Sequence, residues 1–374
     1  MKITFKENAV VGTQTRSAGF SLVELLLALA LGLVVVAGIV QLFVGNSQTS
    51  AIVNGQARLQ ENARFAFDFI SRAARQAGYL GCAHVPDNIV KNLNGPWNLI
   101  PEYNLTRIVD GYEAGAGGTW TPSIDTVPGG LVGNVNVAAG AIDTGVIAPG
   151  TDVVVFRNVQ QPGQKLVQTL QPLGNPVVTA PGGDPGFGVG DVVLVANCEQ
   201  AAMFRVTALA VAGNEATVLR ATGGSFFENA AFVNSPNGTV PATLSFLGRS
   251  YGPEATIGAV ESTYFFIAPS VRQDNRGNTP LALWQKVGAA GPVELIQGIE
   301  DLQVLYGIDT TLNDGIANPN RYVPFDSVPL DVGQIVAVRA TITVNSVDVV
   351  TEDGNRLRRT FSKTIQIRNS NPEV

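Results

Sequence analysis

The residues with the most chemistry per position are Gly19-Phe20-Ser21-Leu22-Val23-Glu24. Glu24 heads an apolar run, and no further charged residue follows until Arg58. A carboxylate near the end of a membrane-length segment is costly unless it has a partner, so its presence asks for a use. A cut after Gly19 would make Phe20 a new N-terminus and leave Glu24 about one helical turn from a free amine. The chemistry in view is proteolytic maturation followed by pairing of that amine with a carboxylate.

Other reactive groups are sparse. His84 is the single histidine, so a Ser-His-Asp triad would have to be built on it. It lies in a loop-like stretch beside Cys82, where an ordinary surface histidine is expected. Cys82-Ala83-His84 has the residue types of half a metal site. Structural zinc takes about four ligands, and the chain offers only two cysteines and one histidine. Asp309-Thr310-Thr311-Leu312-Asn313-Asp314-Gly315 is oxygen-rich like a calcium loop, but it lacks the EF-hand spacing and the closing glutamate. A solvated turn is expected there. Neither Gly115-Ala116-Gly117-Gly118 nor Gly186-Phe187-Gly188 has the lysine or strand–turn–helix setting of a phosphate loop. No catalytic residue, metal or cofactor is expected. Trp97, Trp120 and Trp284 fit core or surface equally well.

Residues 25–44 carry Gln41 as their only strongly polar side chain. Some 20 such residues span about 30 Å as a helix, the hydrocarbon thickness of a bilayer. Lys2, Lys6 and Arg16 precede the run, which keeps residues 1–19 cytoplasmic and exports the rest. A secretory signal has its apolar stretch before the cut; here it follows Gly19, so cleavage would leave the helix on the mature chain. Past the membrane, Ile52, Leu59, Ala63, Ala66, Ile70, Ala73 and Ala77 recur at helical spacing as an apolar stripe. Phe65 and Phe69 form an i, i+4 aromatic pair on a neighbouring face. Arg58, Glu61, Arg64, Asp68, Arg72 and Arg75 fill the polar positions, and Gly78 supplies a stop. The spacing predicts one helix from Phe20 to about Ala77.

The remainder is rich in glycine (41) and proline (21), which points to a turn-rich β body. Residues 83–148 read as a loop-heavy insertion. Strand-like runs follow at 152–157, 191–196, 201–208, 216–220, 262–268, 281–287, 334–344 and 358–368. In the last, Phe361, Ile365 and Ile367 alternate with polar residues, as in a half-buried strand. Residues 295–302 are compatible with a short helix or turn feeding a strand through Leu305. The expected fold class is α+β, a long helix laid on an antiparallel sheet. The net charge is −6, and loss of residues 1–19 takes it to −8, because three basic residues and one acidic residue leave. An acidic body is a poor nucleic-acid binder. In an exported chain Cys82 and Cys198 read as one disulfide, with two buried thiols the other possibility.

Residues 19–25 match the cleavage and methylation motif of type IV prepilins and of type II secretion pseudopilins. Arg58-Leu59-Gln60-Glu61-Asn62-Ala63-Arg64-Phe65-Ala66 and Ala77-Gly78-Tyr79-Leu80-Gly81-Cys82 resemble the post-membrane helix of PilW-type minor pilins and its end. Asp191-Val192-Val193-Leu194-Val195-Ala196-Asn197-Cys198 resembles their second cysteine strand, and residues 293–307 resemble their C-terminal motif. The resemblance implies a pilin-like fold divided into a leader (1–19), an N-terminal helix (20–78, with 20–44 in the membrane or filament core) and a periplasmic body (79–374). It implies cleavage after Gly19 by a prepilin peptidase and N-methylation of Phe20. It also implies that Glu24 pairs with a neighbour's amine during assembly. The implied role is structural: a subunit at the pilus tip with other minor pilins and the major pilin, with a PilY-type adhesin as a candidate cargo. It would rest in the inner membrane beforehand and in the extracellular pilus afterwards. A GspJ-like pseudopilin shares the N-terminus. A membrane-anchored adhesin would not depend on Glu24, and a tethered hydrolase would depend on His84.

Overall fold

A computed structural model describes residues 19, 21–81, 89–94, 103–105, 107–122, 147–224, 228–230, 246–288, 290–311, 318–327, 335–351 and 353–370. By internal contacts the chain divides into two units, Met1–Val53 and Asn54–Val374.

The 55-residue helix α1 (Leu22–Gln76) is the dominant element. Its large apolar residues from Leu22 to Val44 are all exposed. In the second unit its inner face is buried at Gly55, Leu59, Ala63, Ala66, Phe67, Ile70, Ser71, Ala73 and Ala74. The stripe is therefore present and broader than its spacing predicts. Phe67 joins it, Ile52 is half-buried, and Phe65 stays exposed while Phe69 packs at the core's margin. Alanine dominates this face because it has high helix propensity and lets the backbone approach the sheet closely. The six charged positions from Arg58 to Arg75 are exposed, as their spacing requires.

Beneath the helix lie strands Ile299–Ile308, Ile335–Asn345 and Arg358–Gln366, which with Arg321–Val323 form a four-stranded sheet. Its pairings are all antiparallel. Leu302, Val304, Tyr306, Val338, Ala340, Ile342 and Ile365 share one buried cluster with Leu59, Ala63, Ile70 and Ala77. Each fully buried aliphatic side chain contributes about 1.5–3 kcal/mol, so this seam dominates the attachment of α1.

A ten-stranded sheet is organised around Thr256–Pro269, which pairs antiparallel with Val192–Ala196, Val153–Val159 and Leu281–Val287. That central strand is buried along almost its whole length, even though Glu261, Ser262 and Thr263 interrupt its apolar residues. Ile89–Lys91 pairs in parallel with Ala201–Arg205. A third sheet of Val177–Thr179, Glu215–Leu219 and Ala208–Ala212 has its own core beside Phe204, Leu247 and Tyr251.

Three expectations change. Residues 295–302 are not helical: strands Val293–Gln297 and Ile299–Ile308 meet at Gly298, whose φ of +80° lets the chain reverse. A side chain there would meet Val347 Cγ2 at 2.8 Å and Asn345 O at 2.9 Å, so glycine is required. The run 201–208 breaks after Arg205, and Ala208–Ala212 enters the third sheet. The described part of 83–148 contains strands Ile89–Lys91, Val109–Ala114 and Trp120–Thr121, so this insertion is partly woven into the main sheet. Trp120 and Trp284 are buried; Trp97 lies outside the described residues.

Candidate functional site

Glu24 lies in the first turn of α1 and is exposed. Ser21 precedes the helix, and the Leu25 N–H donates to the Ser21 carbonyl at 3.1 Å. Ser21-Leu22-Val23-Glu24 has the residue types of a capping box, a signal that sequence reasoning passed over. An acidic group here also faces the positive end of the helix dipole. Gly19 has open space around it. Phe20, Cys82 and His84 lie outside the described residues. α1 thus presents one carboxylate at the head of an apolar surface that has no partner among the described residues.

The other end of α1 is closed by the body. Gly78 has φ +77°, and its N–H donates to the Arg157 carbonyl at 2.8 Å. A Cβ at Gly78 would fall 2.7 Å from the Asn369 carbonyl. Asn369 Nδ2 donates to the Ala77 carbonyl at 3.0 Å, so the residue after the last strand satisfies a helix-end acceptor. Arg157 is fully buried and donates to Asp110 at 3.0 Å and to the Arg107 carbonyl. Asp110 is also paired with Arg107 at 3.0 Å, so it is removal of Asp110 that would strand the buried Arg157 charge away from water.

Cys198 sits in the exposed turn between Val192–Ala196 and Ala201–Arg205, and it is not a free thiol. Gly81, next to Cys82, faces the same strand: a Cβ on it would lie 3.5 Å from Ala196 Cβ.

Asp152 ties the two larger sheets together. Its Oδ1 accepts from the Ala114 N–H at 2.9 Å and its Oδ2 from the Val304 N–H at 2.8 Å. Its own N–H donates to the Leu302 carbonyl at 2.8 Å. Burial pushes its carboxyl up to about 6 despite those donors. Glu113 accepts from the Phe325 N–H at 3.2 Å. Burial, with Asp152 beside it, pushes Glu113 up to about 7. Tyr306, wholly buried between them, is held well above its usual value, mainly by burial. These groups bridge strands with backbone partners; no nucleophile–base pair forms around them. Asp309 accepts from the Thr311 and Asn318 N–H groups and from the Thr311 hydroxyl. Those bonds hold its carboxyl below the usual range and make it a turn-closing group. Residues 312–315 of the segment expected to be a solvated turn lie outside the described residues, as does much of 83–148.

Comparison with known families places two regions. Residues 268–369 match the family described as type IV pilus-assembly protein W. Residues 14–40 match the prokaryotic N-terminal methylation motif. The first region supplies the four-stranded sheet and the Asn369 cap, the second the head of α1 with Gly19, Phe20 and Glu24. The 58–66, 77–82 and 191–198 stretches that resemble PilW-type pilins lie outside both matches. No curated protein and no solved structure matches the chain. The chain thus carries a region similar to the PilW family and a prepilin-type methylation motif, and together they support a type IV pilus minor pilin.

Proposed function

We propose that this PilW-family chain acts as a non-enzymatic structural subunit that helps start pilus assembly at the tip. The observation that carries this reading is the double character of α1. Its first part exposes apolar side chains on all sides behind Glu24, while its second part is locked onto the PilW-matched sheet. Such a helix can leave lipid only into a comparable apolar surround, and a bundle of like helices provides one. Gly32, Gly38 and the alanines between residues 28 and 45 favour close approach of those helices.

In this reading a prepilin peptidase cuts after Gly19 and methylates the Phe20 amine. Glu24 then recruits the amine of a neighbouring subunit, since an unpaired carboxylate in lipid is costly. The neighbours are other minor pilins and the major pilin, with a PilY-type adhesin as a candidate cargo. The body is periplasmic before assembly and extracellular afterwards. A secretion pseudopilin shares the methylation motif, but the match over residues 268–369 favours the pilus.

The test is the mature N-terminus of protein from native membranes, read by mass spectrometry, combined with Glu24→Ala. The expected result is a chain starting at N-methylated Phe20, with Glu24→Ala processed normally but reduced at least tenfold in sheared pili. An intact Met1, or normal piliation by the variant, would overturn the reading.

A further inference from the structure

Among the described residues a charged groove lies at the capped end of α1, and its arginines take no part in that cap. It is an open cavity of about 370 Å³ lined by Asp68, Ser71, Arg72, Arg75, Gln76, Tyr79, Gln161, Arg368 and Asn369. It lies where the last turns of α1 meet the segment following the final strand. Its charge is unbalanced: the guanidinium groups of Arg72, Arg75 and Arg368 face the single carboxylate of Asp68. Asp68 is spent on Arg72 at 3.0 Å, an exposed i, i+4 pair. Arg75 and Arg368 are exposed. Ser71, only 4% exposed, lines the groove with its Oγ buried and without a hydrogen-bond partner. A buried hydroxyl left unpaired costs about 1–3 kcal/mol, which a ligand group reaching it would recover.

We propose that this groove binds an acidic peptide segment of a neighbouring pilus subunit, a reading that rests on the pilin role above. Guanidinium forks match carboxylates in bidentate geometry. The rest of the lining matches a peptide backbone. Gln76 and Gln161 each offer a donor and an acceptor, Tyr79 and Ser71 offer hydroxyls, and Asp68 accepts from an N–H. A bare phosphate would use the arginines but, having no N–H to give, would leave Asp68 and the amide oxygens of Gln76 and Gln161 without a donor. The groove is continuous with the exposed charged face of α1, so it is presented to whatever packs beside that helix.

The test uses the full-length mature protein in detergent, titrated with acetyl-Glu-Glu-Glu-amide and separately with inorganic phosphate. Saturable peptide binding is expected, weakened at least tenfold by Arg75→Gln combined with Arg368→Gln. Tighter binding of phosphate than of peptide, no peptide binding, or binding unchanged in the double variant would each overturn the proposal. In cells the double variant should be processed to Phe20 yet fall several-fold in sheared pili. Wild-type amounts in pili would overturn the groove while leaving the pilin role standing; an unprocessed wild-type chain would instead overturn that role. Arg75→Lys with Arg368→Lys keeps the charge and controls for folding. Its incorporation should fall between that of the wild type and that of the glutamine variant, because lysine keeps the charge but not the bidentate fork; a loss equal to the glutamine variant's, with an unchanged melting temperature, would overturn the proposal as stated.

Discussion

Asp152 shows how much one side chain can carry. Its two oxygens and its N–H join residues of two sheets, yet it is nearly inaccessible to water. Its carboxyl rises from 3.8 to about 6, and that of Glu113 from 4.5 to about 7. Asp301 and Asp326 add repulsion at Asp152, and Asp326 adds to it at Glu113. With folded values above unfolded ones, the native state holds more protons between about pH 4 and pH 7. This contribution is full below about pH 4 and is lost as the pH rises through 6 to 7. Asp274 and Asp309 have lowered values and act oppositely, contributing above about pH 4 and losing that contribution in acid. Stability should therefore peak near pH 4–5 and fall toward pH 7.5 by an amount on the order of 1–3 kcal/mol. Thermal melting across that range should show the decline, and Asp152→Asn should flatten it while lowering stability at pH 5, because an amide oxygen replaces only one of two acceptors. A flat wild-type profile would refute this account. Val347 is a second special residue. It holds φ +62° beside Gly298, with its N–H donated to Asn345 Oδ1. A β-branched side chain there is strained by on the order of 1–3 kcal/mol, and the packed Gly298 turn is what enforces it.

At the scale of the element, α1 obeys two solvents in succession. Its first part is apolar all round, as lipid or a helix bundle requires. Its second part is apolar on one face only, because the sheet covers that face and water the other. Ile70 lies at the centre of the covered face with no accessible surface. Ile70→Asp would bury an unpaired carboxylate and remove a core side chain, at a cost of about 3–5 kcal/mol. The full-length variant in detergent should melt well below the wild type, whereas Phe65→Asp, on the exposed side, should change little. Equal melting of wild type and Ile70→Asp would show that the helix does not depend on this seam.

At the scale of the whole molecule, the region matched to the PilW family does the holding and the rest is added around it. The sheet within residues 268–369 carries α1, while the third sheet and its cluster around Phe204 and Tyr251 form a separate core. A Cys82–Cys198 bridge would fasten the end of the helix to the edge of the large sheet. The approach of Gly81 to Ala196 supports that pairing. Closing a loop of more than 100 residues would stabilise the body by roughly 4–5 kcal/mol in chain-entropy terms. Non-reducing peptide mapping should recover the linked peptides, and Cys82→Ser with Cys198→Ser should lower the melting temperature; two alkylatable thiols in the native protein would refute the bridge.

Much of this protein was written in its local pattern. Glu24 before an uncharged run, the stripe from Leu59 to Ala77, the stop at Gly78 and the alternation of Phe361, Ile365 and Ile367 all follow from period and polarity, which a linear reading senses directly. The runs at 281–287 and 334–344 were legible for the same reason, the second one residue out of step with the strand Ile335–Asn345. What the linear pattern did not hold was pairing. Residues 295–302 suit a helix until Leu281–Val287 and Ile335–Asn345 offer them ladders on either side of Gly298, and those contacts make them strand. Phe67 became core because the sheet is wider than a single stripe. Asp152 and Glu113 gained their chemistry from backbone groups more than 150 residues away. The groove of Arg72, Arg75 and Arg368 exists because the chain's last segment returns to the end of its first helix. Periodicity is a property of neighbours in sequence; burial, ion pairing and shared acceptors belong to neighbours in space, and the tertiary structure alone decides those.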